Sequence, residues 1–246
     1  MKVFTKTDIG QARNMNQDSL LVSENNDKGL NLYILADGMG GYKGGEIASK
    51  VAVTAVEKYI TEKFDAISKD KESILDLIDD SIDFANSAIY EESEQDEELQ
   101  DMGTTLEVLL IYKNKVYIGH IGDSRIYRIR KNKMKKITTD HSYVEKLIQD
   151  GEITREEAYN HPKKNLLIKA LGTDKVAKPD LLYTMLNKND VLLMCSDGLT
   201  NMIREDEILD TILSKEALED TTEILVNKAN EAGGLDNISV IVIDNR

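Results

Sequence analysis

The sequence predicts an α+β fold with antiparallel sheets and helices packed outside them. Three observations lead there. The apolar runs follow one another as strands, two long helices, a meander of strands, short helices and a last strand, without the strict alternation of a doubly wound parallel sheet. A polar turn, Lys113-Asn114-Lys115, directly joins two apolar runs, which reads as a hairpin. No internal repeat, Pro/Ser-rich linker or break in composition divides the 246 residues, so a single domain over 1–246 is expected.

Strands are predicted near 2–8, 18–24 and 31–36; the second alternates weakly, and the third, "NLYILA", is apolar enough to be buried. Residues 44–64 read as a helix because Ile47, Val51, Ala55 and Tyr59 share one face. A second helix over about 71–92 has Ile74, Ile78, Ile82, Ala85 and Ile89 spaced alike. The acidic run "EESEQDEELQD" at 91–101 ends it in a solvated loop. "TTLEVLLIY" (104–112), "VYIGHIG" (116–122) and "RIYRIR" (125–130) are strands, and 142–171 is short helices and loops. "DLLYTML" (180–186) and "DVLLMCS" (190–196) are strands again, and helices over about 205–213 and 216–232 precede a final strand, "NISVIVI".

The formal net charge of −14 argues against nucleic acid or an anionic membrane as the main partner. No stretch approaches the roughly 18–20 apolar residues that span a bilayer, and "MKVFTKTDIG" has no apolar signal-peptide core. One cysteine allows no internal disulfide, and a cytoplasmic protein is expected.

Several chemistries fail on spacing. "ADGMGGYKGGE" resembles a phosphate cradle, but no glycine-lysine-Ser/Thr triplet follows, and the third glycine of a dinucleotide fingerprint falls on Lys43. Cys195 lacks an arginine six residues on, where Asn201 stands, and reads as a buried structural thiol. His120, His141 and His161 are scattered without zinc-like spacing and read as structural. Catalysis therefore falls to aspartates.

Asp37, Asp123 and Asp197 each end an apolar strand, and Asp236 immediately precedes one. Aspartate is a poor strand residue, and beside buried strands it is costly unless paired. Any single one reads as a turn residue or helix cap. Four with no matching lysines point to a shared divalent cation, and oxygen ligands with few nitrogens suit magnesium or manganese. Gly38 lets a backbone carbonyl approach such an ion. Arg13, five residues before Asp18, offers a planar fork for two phosphate oxygens.

Taken in order, "ARNMNQDS", "LADGMGGYKGGEIAS", "MGTTL", "IGDSRIY", the 138–172 segment, "LLMCSDGLTNM" and "GGLDNISVIVI" resemble the protein phosphatase 2C family of metal-dependent Ser/Thr protein phosphatases, in its bacterial branch. The resemblance implies a four-layer α/β/β/α sandwich. It implies two core Mn2+ or Mg2+ ions, with Asp37 bridging them, Gly38 lending its carbonyl to the second, and Asp197 and Asp236 completing the first. Asp18 would act through water, Arg13 would hold the substrate phosphate, and Asp123 with Asp197 would hold a third, weaker ion. Residues 138–172 would form a flap beside the site.

The implied reaction is hydrolysis of phosphoserine and phosphothreonine on proteins by a hydroxide bridging the two metals, with no covalent phosphoenzyme. The expected partners are phosphorylated proteins, a Ser/Thr kinase among them, and the chain is expected to act as a monomer. Two departures matter. Gln17 replaces a glutamate present in some members. Met39 replaces the histidine that animal-type members carry as a proposed general acid, which leaves a metal-bound water as the candidate donor. The alternatives are a dedicated phosphatase of one phosphoserine protein and an inactive binding module, which should have lost metal aspartates that this chain keeps.

Overall fold

The computed structural model describes residues 1–25, 28–40, 44–214 and 218–246, without the side chains of Asn25 and Leu218. Residues 41–43 of the glycine-rich motif, and residues 216 and 217 at the predicted start of the last helix, lie outside the described residues. Two antiparallel sheets lie face to face. One runs in the order β1 (Lys2–Asp8), β11 (Ile238–Asp244), β10 (Val191–Cys195), β7 (Arg125–Arg130), β8 (Lys133–Lys136). The other runs β2 (Asp18–Asn25), β3 (Leu30–Met39), β5 (Leu106–Tyr112), β6 (Lys115–Ile121), β9 (Asp180–Met185), and the two-residue β4 (Gly103–Thr104) pairs with the end of β3.

Alternation along each strand builds the layers, because successive side chains point to opposite faces. Tyr33 and Leu35 of β3 join Leu109, Ile118, Ile126, Met194 and Ile241 in a core between the sheets. Leu32, Ile34 and Ala36 face the other way, onto α1 (Gly44–Lys63) and α2 (Lys71–Gln95). On the far side, Tyr127, Leu193 and Val240 pack with α6 (Glu205–Leu213) and α7 (Leu218–Glu231). The result is the expected α/β/β/α sandwich. The start of α2 is fixed by Asp70, whose carboxylate accepts the Ser73 N–H at 2.9 Å.

Two strand readings change. "TTLEVLLIY" is broken at Thr105, whose neighbours pair with β3 on one side and continue as β5 on the other. The charged "KMKK" at 133–136 is a strand that the sequence reading left out, because only Met134 packs on the core and its lysines mask the period. Lys131 and Asn132 turn it back from β7 with φ of 50° and 58°, as Lys113 and Asn114 do for the anticipated hairpin with 48° and 61°.

Between β8 and β9 the chain leaves the sheets. Residues 138–172 carry α3 (Tyr143–Gln149) and α4 (Arg155–Tyr159), and the latter opens with a capping box between Thr154 and Glu157. The segment returns through Leu171, which bridges to Thr104.

Candidate active site

Register brings the first two carboxylates together: Asp18 of β2 lies directly opposite Asp37 of β3. Like charges across a strand pair repel. Asp197 opens α5 (Asp197–Thr200) just past β10, Asp123 sits in the turn between β6 and β7, and Asp236 stands two residues before β11. Burial, then Asp18, Asp197, Asp123 and Asp236, hold the Asp37 carboxyl well above the ordinary carboxylate range. Burial outweighs hydrogen bonds from Ser239 and Ser196 and pushes Asp18 up to about 7, with Asp197 and Asp236 adding to the rise. Asp197 is raised to about 6 by burial and by Asp236. Burial, then Asp197 and Asp140, raise Asp123 well above its usual value. The five aspartates named from the sequence thus form one electrostatic cluster.

Small polar side chains hold this cluster in place. The Asp37 N–H donates to Thr105 Oγ1 at 3.0 Å, and its carbonyl accepts from Thr104 Oγ1 at 2.9 Å. Thr105 Oγ1 also meets Ser124 Oγ at 2.9 Å, so "MGTTL" ties Asp37 to the turn that carries Asp123. Ser196 Oγ donates to Asp18 Oδ2 at 2.9 Å. Asn237 donates Nδ2 to the Ile9 and Met15 carbonyls, both at 2.9 Å, and accepts the Gln17 N–H at 2.9 Å, which pins the loop bearing Arg13 against β11. Sequence reasoning missed Thr105, Ser196 and Asn237. Ser196 and Asn237 each adjoin a site aspartate in the sequence, a signal too common to act on, and Thr105 adjoins none.

Backbone packing gives Gly38 a requirement of its own. A Cβ there would lie 2.0 Å from the Gly45 carbonyl oxygen and 2.7 Å from that of Gln17, so glycine is required for β3 to touch the start of α1. Gly198, after Asp197, is constrained in the same way: its Cβ would fall 2.0 Å from the Asn237 carbonyl oxygen. Both Asp-Gly pairs are places where two backbones meet at the site.

The residues fit a divalent cation. Asp18 Oδ1 is buried with no hydrogen-bond partner, a costly state for a carboxylate oxygen. The surrounding donors are oxygens, which suits a hard ion. Among the described residues no three acidic, histidine or cysteine side chains already close into a finished cage. Several oxygens are engaged by neighbours: Arg13 Nη2 donates to Asp236 Oδ2 at 2.7 Å, and Asn201 Nδ2 to Asp197 Oδ2 at 2.8 Å.

The turn carrying Asp123 is joined to the root of the 138–172 segment. His141 donates its N–H to the Gly122 carbonyl at 2.7 Å, and its Nδ1 accepts the Gly122 N–H at 3.2 Å. Arg125 grips Asp140 through Nε at 3.0 Å and Nη2 at 2.7 Å, and Lys136 Nζ donates to the same carboxylate at 2.9 Å. Behind them His120 stacks on His141, with centroids 4.6 Å apart, and is held by the buried Glu107 and the Thr139 carbonyl. Two of the three histidines, scattered along the sequence, are thus together in space. A cavity of about 640 Å3 opens between this segment and α5–α6, with Asp123 and Asp197 at its edge.

Comparison with known proteins agrees with this architecture. A family model described as protein phosphatase 2C matches residues 10–232. Protein phosphatase PhpP of Streptococcus pneumoniae is 42% identical over 244 residues, covering 99% of this chain and 97% of its own. The serine/threonine phosphatase of S. agalactiae superimposes with a TM-score of 0.91 at 37% identity, over 100% of this chain and 99% of that one. The catalytic domain of the serine/threonine protein phosphatase PstP, in complex with two manganese ions, gives 0.85 at 33% identity, over 99% of this chain and 97% of that one. The chain belongs to the protein phosphatase 2C family, in its bacterial branch.

Proposed function

We propose that the chain hydrolyses phosphoserine and phosphothreonine on proteins at the aspartate cluster, with divalent cations held by Asp37, the Gly38 carbonyl, Asp197 and Asp236. The observation that carries this reading is the gathering of five mutually repelling aspartates beside Arg13, with Asp18 Oδ1 buried and unpartnered. Manganese in the PstP neighbour supports manganese here, with magnesium as the alternative. Asp18 would act through water, and Asp123 with Asp197 would hold a third, weaker ion.

When bound, the cations supply Lewis-acid charge that lowers the pKa of water and offsets charge developing on the phosphoryl group. The chain's own residues position the rest. Arg13, half exposed beside Asp236, presents two N–H groups to the phosphate oxygens. Ser196 orients Asp18, and Thr104 and Thr105 fix the Asp37 backbone. Met39 has no proton to give, and both His120 and His141 are engaged behind the Asp123 turn. Residues 138–172 serve as a flap that borders the substrate. The protein acts as a monomer in the cytoplasm and opposes a Ser/Thr kinase; among the described residues no helix is long and apolar enough to cross a membrane.

The test is turnover of a phosphothreonine peptide with manganese by the Asp37→Asn variant. A loss of about a hundredfold or more is expected, with the fold retained. Unchanged turnover would refute the assignment.

A further inference from the structure

Charge and apolar exposure both concentrate on one stretch that the reaction does not use. The chain as a whole carries a net charge of −14, yet residues 161–179 contain five lysines against the single Asp174. Three of the exposed large apolar side chains also fall here: Leu166, Ile168 and Val176, at 50%, 49% and 63% exposure. Ile168, Ala170 and Val176 line a groove of about 460 Å3 with Lys175 and Lys178 beside them. Lys169 reaches Asp180 at 3.5 Å. Among the described residues Lys175 and Lys178 have no carboxylate partner, and Lys175 rests over the Tyr90 ring at 5.8 Å.

The groove is joined to the aspartate cluster. Leu171, next to Ala170, exchanges two backbone hydrogen bonds with Thr104 at 3.1 and 2.9 Å, and the Thr104 hydroxyl donates to the Asp37 carbonyl. A Cβ on Gly103 would touch Leu171, Met39 and Thr173 together, so the segment that forms the groove passes directly beside the "DGM" end of β3. The larger cavity under the flap does not favour an acidic chain in this way: Arg155 and Arg204 there pair with Glu145 and Glu156, and its lining carries seven carboxylates against five basic side chains, Lys164 among them.

We infer that the groove of residues 168–178 docks an acidic, partly apolar segment of the phosphoprotein, a few residues from the phosphoresidue; this rests on the phosphatase reading above. Val176 and Ile168 take an apolar side chain, and Lys175 and Lys178 take the acidic neighbours. Rim charges of this kind act through association and weaken with salt.

The test compares two phosphothreonine peptides of equal length, one flanked by glutamate and leucine and one by lysine and leucine, with p-nitrophenyl phosphate, all with manganese. The wild-type protein is set against a Lys175→Glu/Lys178→Glu double variant. At low salt the acidic peptide should show a KM about tenfold below the basic one, and the gap should narrow at about 0.5 M salt. The double variant should abolish the gap and leave the constants for p-nitrophenyl phosphate unchanged. Equal KM for the two peptides on the wild-type protein overturns the inference. So does a double variant that changes p-nitrophenyl phosphate hydrolysis as much as peptide hydrolysis. Concentration-dependent dimerisation that the double variant abolishes without altering peptide KM would assign the face to a second copy, which also overturns it. A wild-type protein inactive on all three substrates would instead overturn the phosphatase reading.

Discussion

Replacing Asp140 by asparagine keeps the side chain's size but removes the charge that joins the root of the 138–172 segment to the Asp123 turn. Asp140 is 7% exposed and takes two nitrogens of Arg125 and the ammonium of Lys136. Burial alone would raise its carboxyl, but Arg125 and Lys136 outweigh burial and hold it below the ordinary carboxylate range. Asparagine turns an NH2 toward donors and leaves two cations without their counter-charge. Breaking a buried pair costs about 3–5 kcal/mol. Arg125 and Lys136 retain some water, at 24% and 17% exposure, so the low end, about 3 kcal/mol, applies. At about 2–4 °C per kcal/mol for a chain of this size, Tm should fall by about 6–12 °C in thermal unfolding at neutral pH. The folded-state pKa is depressed, so the stabilisation is fully present above the unfolded value near 3.9 and lost as pH falls through the folded value. The gap between wild type and variant should therefore hold from about pH 8 to about pH 5 and close below about pH 4. A variant melting within about 1 °C of wild type, or a gap that widens in acid, would refute the reasoning.

Gly38→Ala should lose about 3 kcal/mol or more together with activity, because its Cβ would meet two backbone carbonyls that cannot yield; normal Tm and turnover would contradict this. Arg13→Ala should raise the KM for a phosphopeptide and leave Tm nearly unchanged, since a half-exposed pair with Asp236 contributes about 1 kcal/mol or less; steady-state kinetics beside a melt checks both. Burial pushes the Cys195 thiol far up, so it should resist thiol reagents until the protein unfolds, and rapid native labelling would show the sheet around it to be open.

The apolar runs made most elements legible, because a strand buried on both faces or a helix with one apolar face shows its period directly. β8 was not legible, since an edge strand of lysines shows no such period. The break at Thr105 was hidden because "TTLEVLLIY" is continuous as composition and is divided only by pairing with β3. The aspartates were found because a carboxylate beside a buried strand contradicts local propensity. Asn237 and Ser196 contradict nothing locally and became visible only through their partners.

The sequence by itself determined the α+β class, the identity of the acidic residues and the chemistry they suit, because these depend on residue type and on spacing along one chain. It also determined that Met39 cannot donate a proton. The tertiary structure alone decided that Asp18 faces Asp37, that Arg13 reaches Asp236, that His141 stacks on His120 and that Asp140 is bound by Arg125. It also showed a packing requirement at Gly38, the contact between β3 and α1. Residues far apart in the chain meet only through strand register and the closing of one sheet on another. The raised pKa values of Asp18, Asp37, Asp123 and Asp197 come from desolvation and from neighbours that this closure supplies.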